Sequence, residues 1–279
     1  SFINGICKVI ELGQHNYIGI YALTALPNTP FGDPEYIKKH NIKIIDTYPA
    51  FSHVDVSGIN DFEREHMVVS NNTMTIEDYK ECTVYRWMFM FGHYLGTTQF
   101  ISRFINNYLG ISYSYFYMEF MKFMKSMGSC GFLGDQLVKT QEALEKIMEA
   151  KAPWGRIVKS VRQNFAWDFE EATVIEIMKN KQVFFDEIKH FITMHFDIPQ
   201  DVVKDLITYQ DLAILDPQKK YPIIGKIKYN IHDVIHNNHD LTVDEAEWQF
   251  EGKNYDGNNV TTLANGAGYL YIRQAFFQV

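Results

Sequence analysis

The chain has 279 residues, which at about 150 residues per domain corresponds to roughly two domains. Its hydrophobic fraction of 46%, which includes 21 Phe and 17 Tyr, excludes a mainly disordered chain. A net charge of -8 argues against a dedicated nucleic-acid-binding protein. The sequence has no uninterrupted run of about 18 apolar residues, so we predict no membrane-spanning helix and no membrane partner.

Cysteines are few and scattered, at Cys7, Cys82 and Cys130. An odd number without regular spacing provides no disulfide framework and indicates a reducing compartment, the cytoplasm. No pair has metal-site spacing, so we predict no metal site from these cysteines. The sequence begins at Ser1 and continues directly into an apolar, helix-like pattern. We therefore expect it to be the later part of a longer protein.

The first elements in the chain form a helix–strand pair. Residues 2–12 have helical periodicity, and Gly13 supplies a stop signal. Residues 16–26 are an apolar, β-rich run that ends in Pro27-Asn28-Thr29-Pro30. A helix that leads into a buried strand is half of a βαβ unit, and ligands bind at the carboxyl ends of such strands. This turn is therefore the first candidate site.

The rest of the chain is mainly helical. Residues 31–72 form a long connection with short strands at 42–48 and 65–69. A capping-box pattern at Thr75 begins a long helix that reaches Tyr108 and is broken near Gly92 or Gly96. Later helices are predicted at 113–127, 135–150, 154–167, 169–180, 182–196, from about 200, and at 258–277, with strands at 221–229 and 247–251. We divide the chain into domains at 1–55, 56–210 and 211–279.

The order of motifs in the first third resembles a known family. A helix, an apolar strand and then Leu-Pro-Asn-Thr-Pro-Phe at 26–31 resemble the end of the barrel in radical S-adenosylmethionine (SAM) enzymes of the cobalamin-binding type. The segments 32–36 and 66–79 resemble the linker and the helical carboxyl-terminal region of that family. The implied fold is an α/β fragment, namely the last helix and strand of a partial parallel (β/α)6 barrel. A mainly α-helical domain with a few short strands near the carboxyl terminus follows it.

The resemblance also implies a chemistry and its cofactors. Such enzymes cleave SAM reductively to a 5′-deoxyadenosyl radical, and cobalamin members commonly transfer a methyl group to carbon. This sequence lacks the Cys-x3-Cys-x2-Cys loop of the family and its Asp-x-His-x-x-Gly cobalamin motif. We therefore expect the [4Fe–4S] cluster and cobalamin to bind an upstream part, which would be a partner of this chain beside a small-molecule substrate. The chain alone would not be competent.

The resemblance implies cofactor-binding residues along the strand and its turn. Tyr21 and Thr24 would line the inside or rim of the barrel, and Leu26, Asn28 and Thr29 would lie nearest to the adenosyl group of SAM. Arg86 and His93 lie two helical turns apart on one side and are candidate substrate-binding residues. The alternative for this helix is an ordinary salt bridge to Glu81 or Asp78.

Three histidines give a competing interpretation. His232, His236 and His239 have the spacing of ligands on a zinc-binding helix, which would suit a metal hydrolase. The polar run 237–240 is typical of a turn that would interrupt this face, so we interpret the three as surface or turn histidines. A second alternative is a non-enzymatic helical interaction protein with an exposed apolar groove along 75–109.

Two further patterns have ordinary explanations. The glycine-rich segment 128–134 has the spacing Gly-x2-Gly-x2-Gly, but a helix rather than a strand precedes it. A phosphate-binding loop needs a preceding strand, so we predict a helix–helix turn. The aromatic residues of 113–123 recur at helical spacing, which favours core packing over a cofactor wall.

Overall fold

The computed structural model describes residues 2–48, 54–58, 63–161, 163–214, 216, 219–252, 254 and 276–278. The chain divides into two compact units, each assembled from separate stretches of sequence. The first unit comprises Ser1–Tyr17, Met88–Asp135 and Thr173–Val279, and the second comprises Ile18–Trp87 and Gln136–Ala172.

Helices dominate the described residues. In chain order they are α1 (Phe2–Glu11), α2 (Pro34–Lys39), α3 (Ile76–Phe89), α4 (Gln99–Leu109), α5 (Tyr113–Met127), α6 (Phe132–Met148), α7 (Phe169–Lys179), α8 (Lys181–His195), α9 (Gln200–Ala213) and α10 (Ile231–Asn237). A π-helical turn, Met90–Tyr94, follows α3, and 3-10 turns cover Pro30–Gly32 and Gly128–Cys130. No described helix is both long and apolar enough to cross a lipid bilayer.

The strands form three small antiparallel sheets. They are β1 (Lys43–Thr47), β2 (Val54–Asp55), β3 (Glu65–Ser70), β4 (Arg156–Ile157), β5 (Phe165–Trp167), β6 (Ile223–Tyr229), β7 (Val243–Phe250) and β8 (Phe276–Gln278). The strand orders are β1-β3 and β2-β5-β4 in the second unit and β6-β7-β8 in the first. Ile44 lies opposite Val68 in the β1–β3 pair.

The core of the first unit is aromatic. Phe116, Phe120 and Phe123 of α5 contact Phe191 of α8 with ring centroids 5.5, 5.2 and 5.3 Å apart. Such offset and edge-on contacts are the preferred geometries of aromatic pairs. Because these rings are buried, the prediction that the aromatic run of α5 packs in a core is confirmed.

The glycine-rich segment is a helix–helix turn, as predicted. Its 3-10 turn joins α5 to α6. A Cβ on Gly134 would lie 2.0 Å from the carbonyl oxygen of Gly128, so glycine is required for this close approach. The carboxylate of Glu187 accepts the backbone N–H groups of Phe132 and Leu133 at 2.6 and 2.8 Å. A side chain of the protein therefore satisfies the donors at the start of α6.

The second unit has a smaller apolar cluster beside the β1–β3 sheet. Ala25, Ile42 and Val68 are buried together, and Phe31 and Tyr36 pack against them. The cluster joins the segment after α1 to both strands of the sheet. It thereby fixes the position of the turn that follows Ala25.

Most of the predicted elements are confirmed, and two are wrong. Residues 154–167 were predicted as a helix but contain β4 and β5. Gly155 in this stretch has φ +101°, and a Cβ added to it would lie 2.0 Å from the Trp167 carbonyl oxygen. The predicted strand at 16–26 is an extended segment with a single β-bridge rather than a continuous strand. The predicted helix at 258–277 falls almost entirely outside the described residues.

Candidate functional site

The candidate site in the second unit is built on the extended segment 18–31. Thr24 forms an isolated antiparallel bridge with Met67 of β3. The N–H of Ala25 donates to the His66 carbonyl at 2.7 Å, and the N–H of Val68 donates to the Leu23 carbonyl at 2.8 Å. One edge of the segment is therefore bound to β3.

The opposite edge of the segment is open. In extended chain, the backbone groups of successive residues point to opposite edges, so those of Ala22 and Thr24 point away from β3. No strand of the described residues pairs with this edge. Several large apolar side chains of the segment are also exposed to solvent: Tyr21 is 88%, Leu23 46% and Leu26 55% accessible.

The turn at the end of the segment is held by hydrogen bonds within the turn itself. The N–H and the hydroxyl of Thr29 both donate to the Leu26 carbonyl, at 3.1 and 2.8 Å. A Cβ on Gly32 would lie 2.4 Å from the same oxygen, so the chain closes tightly here. The side chain of Asn28 is left exposed at the end of the turn.

Arg86 of α3 connects the segment to a buried carboxylate. Its Nε donates to the Ile20 carbonyl at 2.6 Å, and its Nη2 lies 3.3 Å from Oε1 of Glu170. The guanidinium also lies over the ring of Trp154 at 5.7 Å. The alternative prediction, that Arg86 forms an ordinary salt bridge, is thus confirmed, but the partner of Arg86 is Glu170 rather than Glu81 or Asp78.

The Arg86–Glu170 pair is almost inaccessible to solvent, and each side chain has one polar atom without a hydrogen-bond partner among the described residues. The two side chains are 12% and 2% exposed. Burial raises the pKa of the Glu170 carboxyl to about 7; the Arg86 guanidinium opposes this rise, and Asp168 and Glu171 add to it. Nη1 of Arg86 and Oε2 of Glu170 are buried without a hydrogen-bond partner among the described residues. One donor of Arg86 and one acceptor of Glu170 thus lack a hydrogen bond within the described residues.

His93 lies in the first unit, within the π-helical turn. It is fully buried, and its Nε2 lies 3.1 Å from Nδ1 of His15, while its Nδ1 lies 2.8 Å from the Tyr117 hydroxyl. The Tyr117 hydroxyl donates to Ser102 Oγ at 3.3 Å. His15, which is half-buried, is the outward member of this network. π-Helical turns are frequent at functional sites.

The three carboxyl-terminal histidines do not meet at one point. The rings of His232 and His236 stack at 4.3 Å, and Nδ1 of His232 lies 2.9 Å from the Tyr209 hydroxyl. His239 follows the end of α10 at Asn238, which has φ +53°. Among the residues that the structure describes, no group of three or more His, Cys, Asp or Glu side chains could hold a metal ion.

The cysteines do not fit an iron–sulfur cluster. Cys7 is buried in α1, and this burial raises the pKa of its thiol to about 12, so it is not a thiolate. Cys82 is partly buried in α3, and Cys130 is exposed in the turn before α6. A cluster needs thiolates grouped on one site, which these three elements do not provide.

Sequence reasoning missed two members of these arrangements, Glu170 and His15. Their partners Arg86 and His93 lie 84 and 78 residues away in sequence. No local spacing relates residues so distant, and only the tertiary fold brings them together. The one available signal was indirect: Arg86 is a cation on an otherwise apolar stretch of α3.

Comparison with known proteins identifies the class of relatives. No family model matches the chain. It is 25% identical over 248 residues, 84% of its length, to the cobalamin-dependent radical SAM methyltransferase TokK of Streptomyces tokunonensis. It is 30% identical over 119 residues, 42% of its length, to the 2-(S-pantetheinyl)-carbapenam-3-carboxylate methyltransferase of Streptantibioticus cattleyicolor.

The chain is thus distantly similar to a cobalamin-dependent radical SAM methyltransferase and to a second methyltransferase. The matched regions cover 36% of the first relative and 17% of the second, so the chain spans well under half of either protein. The family relation suggested by the motifs at 26–36 is supported by these similarities.

Proposed function

We propose that this chain is the carboxyl-terminal part of a cobalamin-dependent radical SAM methyltransferase and helps to bind SAM and a small-molecule substrate for methyl transfer to carbon. The observation that carries this proposal is the similarity to a cobalamin-dependent radical SAM methyltransferase over 84% of the chain, beside that to a second methyltransferase over 42% of it. The geometry of the segment 18–31 is consistent with it.

The open edge of this segment supports the proposal that an upstream part of the protein completes the barrel. A strand with one unpaired edge and exposed apolar side chains is unfavourable in water unless another strand covers it. In the proposal, upstream strands of a partial (β/α)6 barrel pair with the edge that carries the backbone groups of Ala22 and Thr24. The upstream part also holds the cluster and cobalamin, because Cys7, Cys82 and Cys130 do not fit the cluster.

The proposed roles of the individual residues follow from their positions. Thr24 and Leu26 border the SAM site, and Asn28 offers its amide at the end of the turn that Thr29 closes. Arg86 binds a polar group of the substrate. Its Nη1 and the Oε2 of Glu170, both buried and without a partner among the described residues, are the donor and the acceptor that the proposal assigns to such a group.

The alternative of a helical interaction protein has less support. It requires an exposed apolar groove along 75–109. Instead, the described side chains from Trp87 to Leu95 are at most 2% exposed, which is typical of a core helix. The enzymatic interpretation therefore remains the better one.

The test uses the product of the complete reading frame, expressed without oxygen and loaded with iron, sulfide and cobalamin. With a chemical reductant to supply electrons, we expect it to convert SAM to 5′-deoxyadenosine and S-adenosylhomocysteine in the presence of substrate. Asn28→Ala should raise the KM for SAM. Thr208→Ala is the control, because it truncates a polar side chain in the first unit, whose hydroxyl donates to the Lys204 carbonyl at 2.9 Å.

Two results would contradict the proposal. The first is a complete gene product that binds neither a cluster nor cobalamin. The second is a loaded enzyme whose KM for SAM changes equally in the Asn28→Ala and Thr208→Ala variants.

A further inference from the structure

A cavity of about 270 Å³ lies in the second unit, beside the carboxyl-terminal end of α2. The buried side chains of Ile42 and Val68 give it an apolar floor. This volume is close to the lower end of the range of small-molecule sites, so it suits one ring system rather than a long chain. The other residues that line the cavity are Phe31, Tyr36, His40, Asn71, Asn72 and Thr73.

Aromatic rings form one part of the lining. The ring centroids of Tyr36 and His40 lie 4.3 Å apart, with the two planes tilted by 44°. The ring of Phe31 meets that of Tyr36 edge-on at 5.7 Å. Neither the imidazole of His40 nor the hydroxyl of Tyr36 has a hydrogen-bond partner within the described part of the chain. The cavity thus offers aromatic faces and edges, against which another aromatic ring packs favourably.

The amide of Asn71 presents donors to the cavity. Its Oδ1 accepts the backbone N–H groups of Thr73 and Met74 at 2.8 and 3.1 Å. It also accepts the Thr73 hydroxyl at 2.9 Å. Because a backbone N–H can only donate, these bonds determine the orientation of the amide and leave its two N–H donors on Nδ2. Nδ2 has no hydrogen-bond partner among the residues described.

Asn72 adds an acceptor at the same turn. Its backbone N–H donates to the His40 carbonyl at 3.0 Å, which joins the turn to the end of α2. Its Nδ2 lies 3.4 Å from the Lys39 carbonyl oxygen, so Oδ1 is the unbonded end of the amide. The described lining contains no Asp, Glu, Lys or Arg, so a charged ligand would meet no counter-ion there. The lining therefore favours an uncharged group with both an acceptor and a donor.

The cavity and the candidate SAM-binding turn lie toward opposite ends of the pairing with β3. The N–H of Ala25 donates to the His66 carbonyl, and the pairing is antiparallel. Asn71 follows His66 by five positions, which corresponds to about 16 Å along an extended strand. The turn that carries Asn28 leaves Ala25 in the other direction. Phe31 nevertheless lines the cavity, because its side chain packs back against the cluster that contains Ala25.

We propose that this cavity binds a planar, uncharged heteroaromatic ring of a small molecule, such as a nucleobase, whose edge carries a hydrogen-bond acceptor and a donor. The ring packs against Tyr36 and His40, and the amides of Asn71 and Asn72 bond its edge. Stacking on aromatic side chains accepts any base, whereas hydrogen bonds at the edge distinguish one base from another. These residues have no part in the proposed methyltransferase function, so the inference does not rest on it.

The experiment titrates the purified full chain with adenosine and, separately, with uridine. Calorimetry measures the affinity, and the imidazole resonances of His40 in NMR spectra locate the ring. We expect saturable binding of at least one nucleoside, shifts at His40, and no binding of ribose, which lacks the ring. A preference for adenosine or for uridine identifies the ring as a purine or a pyrimidine.

Two substitutions remove different contacts of the ring. His40→Ala should weaken binding at least about fivefold, because it removes an aromatic ring that stacks on the base. Asn71→Asp keeps the Oδ1 acceptor that holds the turn but replaces the free amide donor with an acceptor. It should also weaken binding about fivefold or more, because a hydrogen bond to the edge is lost. If one variant does not fold, the other decides.

Each variant has a matched control. His66→Ala removes an exposed imidazole of the same unit, which pairs with Asp46 outside the cavity. Asn28→Ala truncates an amide at the candidate SAM-binding turn. Both controls should leave the affinity for the nucleoside unchanged. The proposal is overturned if neither nucleoside binds saturably, if ribose binds equally well, or if a control weakens binding as much as His40→Ala or Asn71→Asp.

Discussion

The Nε atom of Arg86 lies 2.6 Å from the carbonyl oxygen of Ile20, a residue 66 positions earlier in the sequence. The same guanidinium pairs with Glu170, so a single side chain holds the extended segment against a buried carboxylate. The position of the candidate cofactor-binding turn thus depends on the integrity of this ion pair.

Removal of the Arg86 side chain should be strongly destabilising. Arg86→Ala leaves Glu170 buried without its cation, and breaking one partner of a buried pair typically costs about 3–5 kcal/mol. Urea unfolding measures the loss. The control is Lys80→Ala, which breaks the more exposed pair with Glu145 and should cost less than about 1 kcal/mol. Equal losses in the two variants would show that the Arg86 pair has no structural role.

The pH dependence of stability should reveal Glu170. Its pKa in the folded chain, about 7, lies above its ordinary value of 4.5, so the native state binds more protons than the unfolded state between these pH values. Its stabilising contribution is complete below pH 4.5 and is lost as the pH rises through 7, by up to about 1.4 kcal/mol per pH unit. Glu170→Gln should remove this slope from the difference between variant and wild-type unfolding curves. A variant with the wild-type slope would contradict the assignment.

Glu187→Ala should weaken the start of α6. The carboxylate accepts two backbone N–H groups that have no partner within the helix, and loss of such a cap costs about 1–2 kcal/mol. Glu119→Ala, which removes only an i,i+3 pair with Lys122, is the control and should cost under about 0.5 kcal/mol. Thermal unfolding of both variants compares the two. A loss for Glu187→Ala no greater than for the control would exclude the capping role.

Two glycines should respond in opposite directions to the same substitution. Gly134→Ala places a Cβ 2.0 Å from the Gly128 carbonyl oxygen and should cost about 1–3 kcal/mol or more. Gly5→Ala in α1 meets nothing within 4 Å and should stabilise the helix by up to about 1 kcal/mol. Melting temperatures of the two variants should therefore move apart. If both fell by the same amount, the close approach at Gly134 would not be the reason.

The stacked histidines should make the chain sensitive to acid. Burial lowers the pKa of His232 from 6.5, with Asp233 opposing and Arg103 reinforcing the effect. The native state then binds fewer protons than the unfolded state, so the contribution is complete above about pH 6.5 and is lost as the pH falls below it. We expect His232→Asn to lose less stability than the wild type between pH 7 and 5. NMR titration of His232 at an ordinary pKa would refute this.

Local periodicity predicted the helices well, because the apolar residues of α5, α8 and α9 recur at helical spacing and are buried in the structure. The helix predicted at 154–167 was wrong because Gly155, which lies within this stretch two residues after Pro153, has a φ of +101° that no helix accommodates. Tertiary pairing with Trp167 decided its conformation, and that information is not local.

The candidate site was predicted only in part. The motif at 26–31 identified a turn that the structure holds closely, and Arg86 was selected by its spacing. His93 was selected for the same reason, yet it is fully buried and bonded to His15 and Tyr117. Spacing along a helix identifies a shared face but does not reveal whether that face is accessible. The partners of Arg86 and His93 were therefore outside the reach of sequence reasoning.

The π-helical turn at Met90–Tyr94 has a consequence for evolutionary comparison. Its bond from the Leu95 N–H to the Met90 carbonyl, 2.7 Å long, spans one residue more than a regular helical turn does. The helix ends at this turn, since residues 95–98 are bends and α4 begins separately at Gln99. Within the turn, one additional residue displaces a side chain by about 100° around the helix axis from its place in a regular helix. A relative that keeps a regular helix here should show a one-residue gap near His93 in a correct alignment.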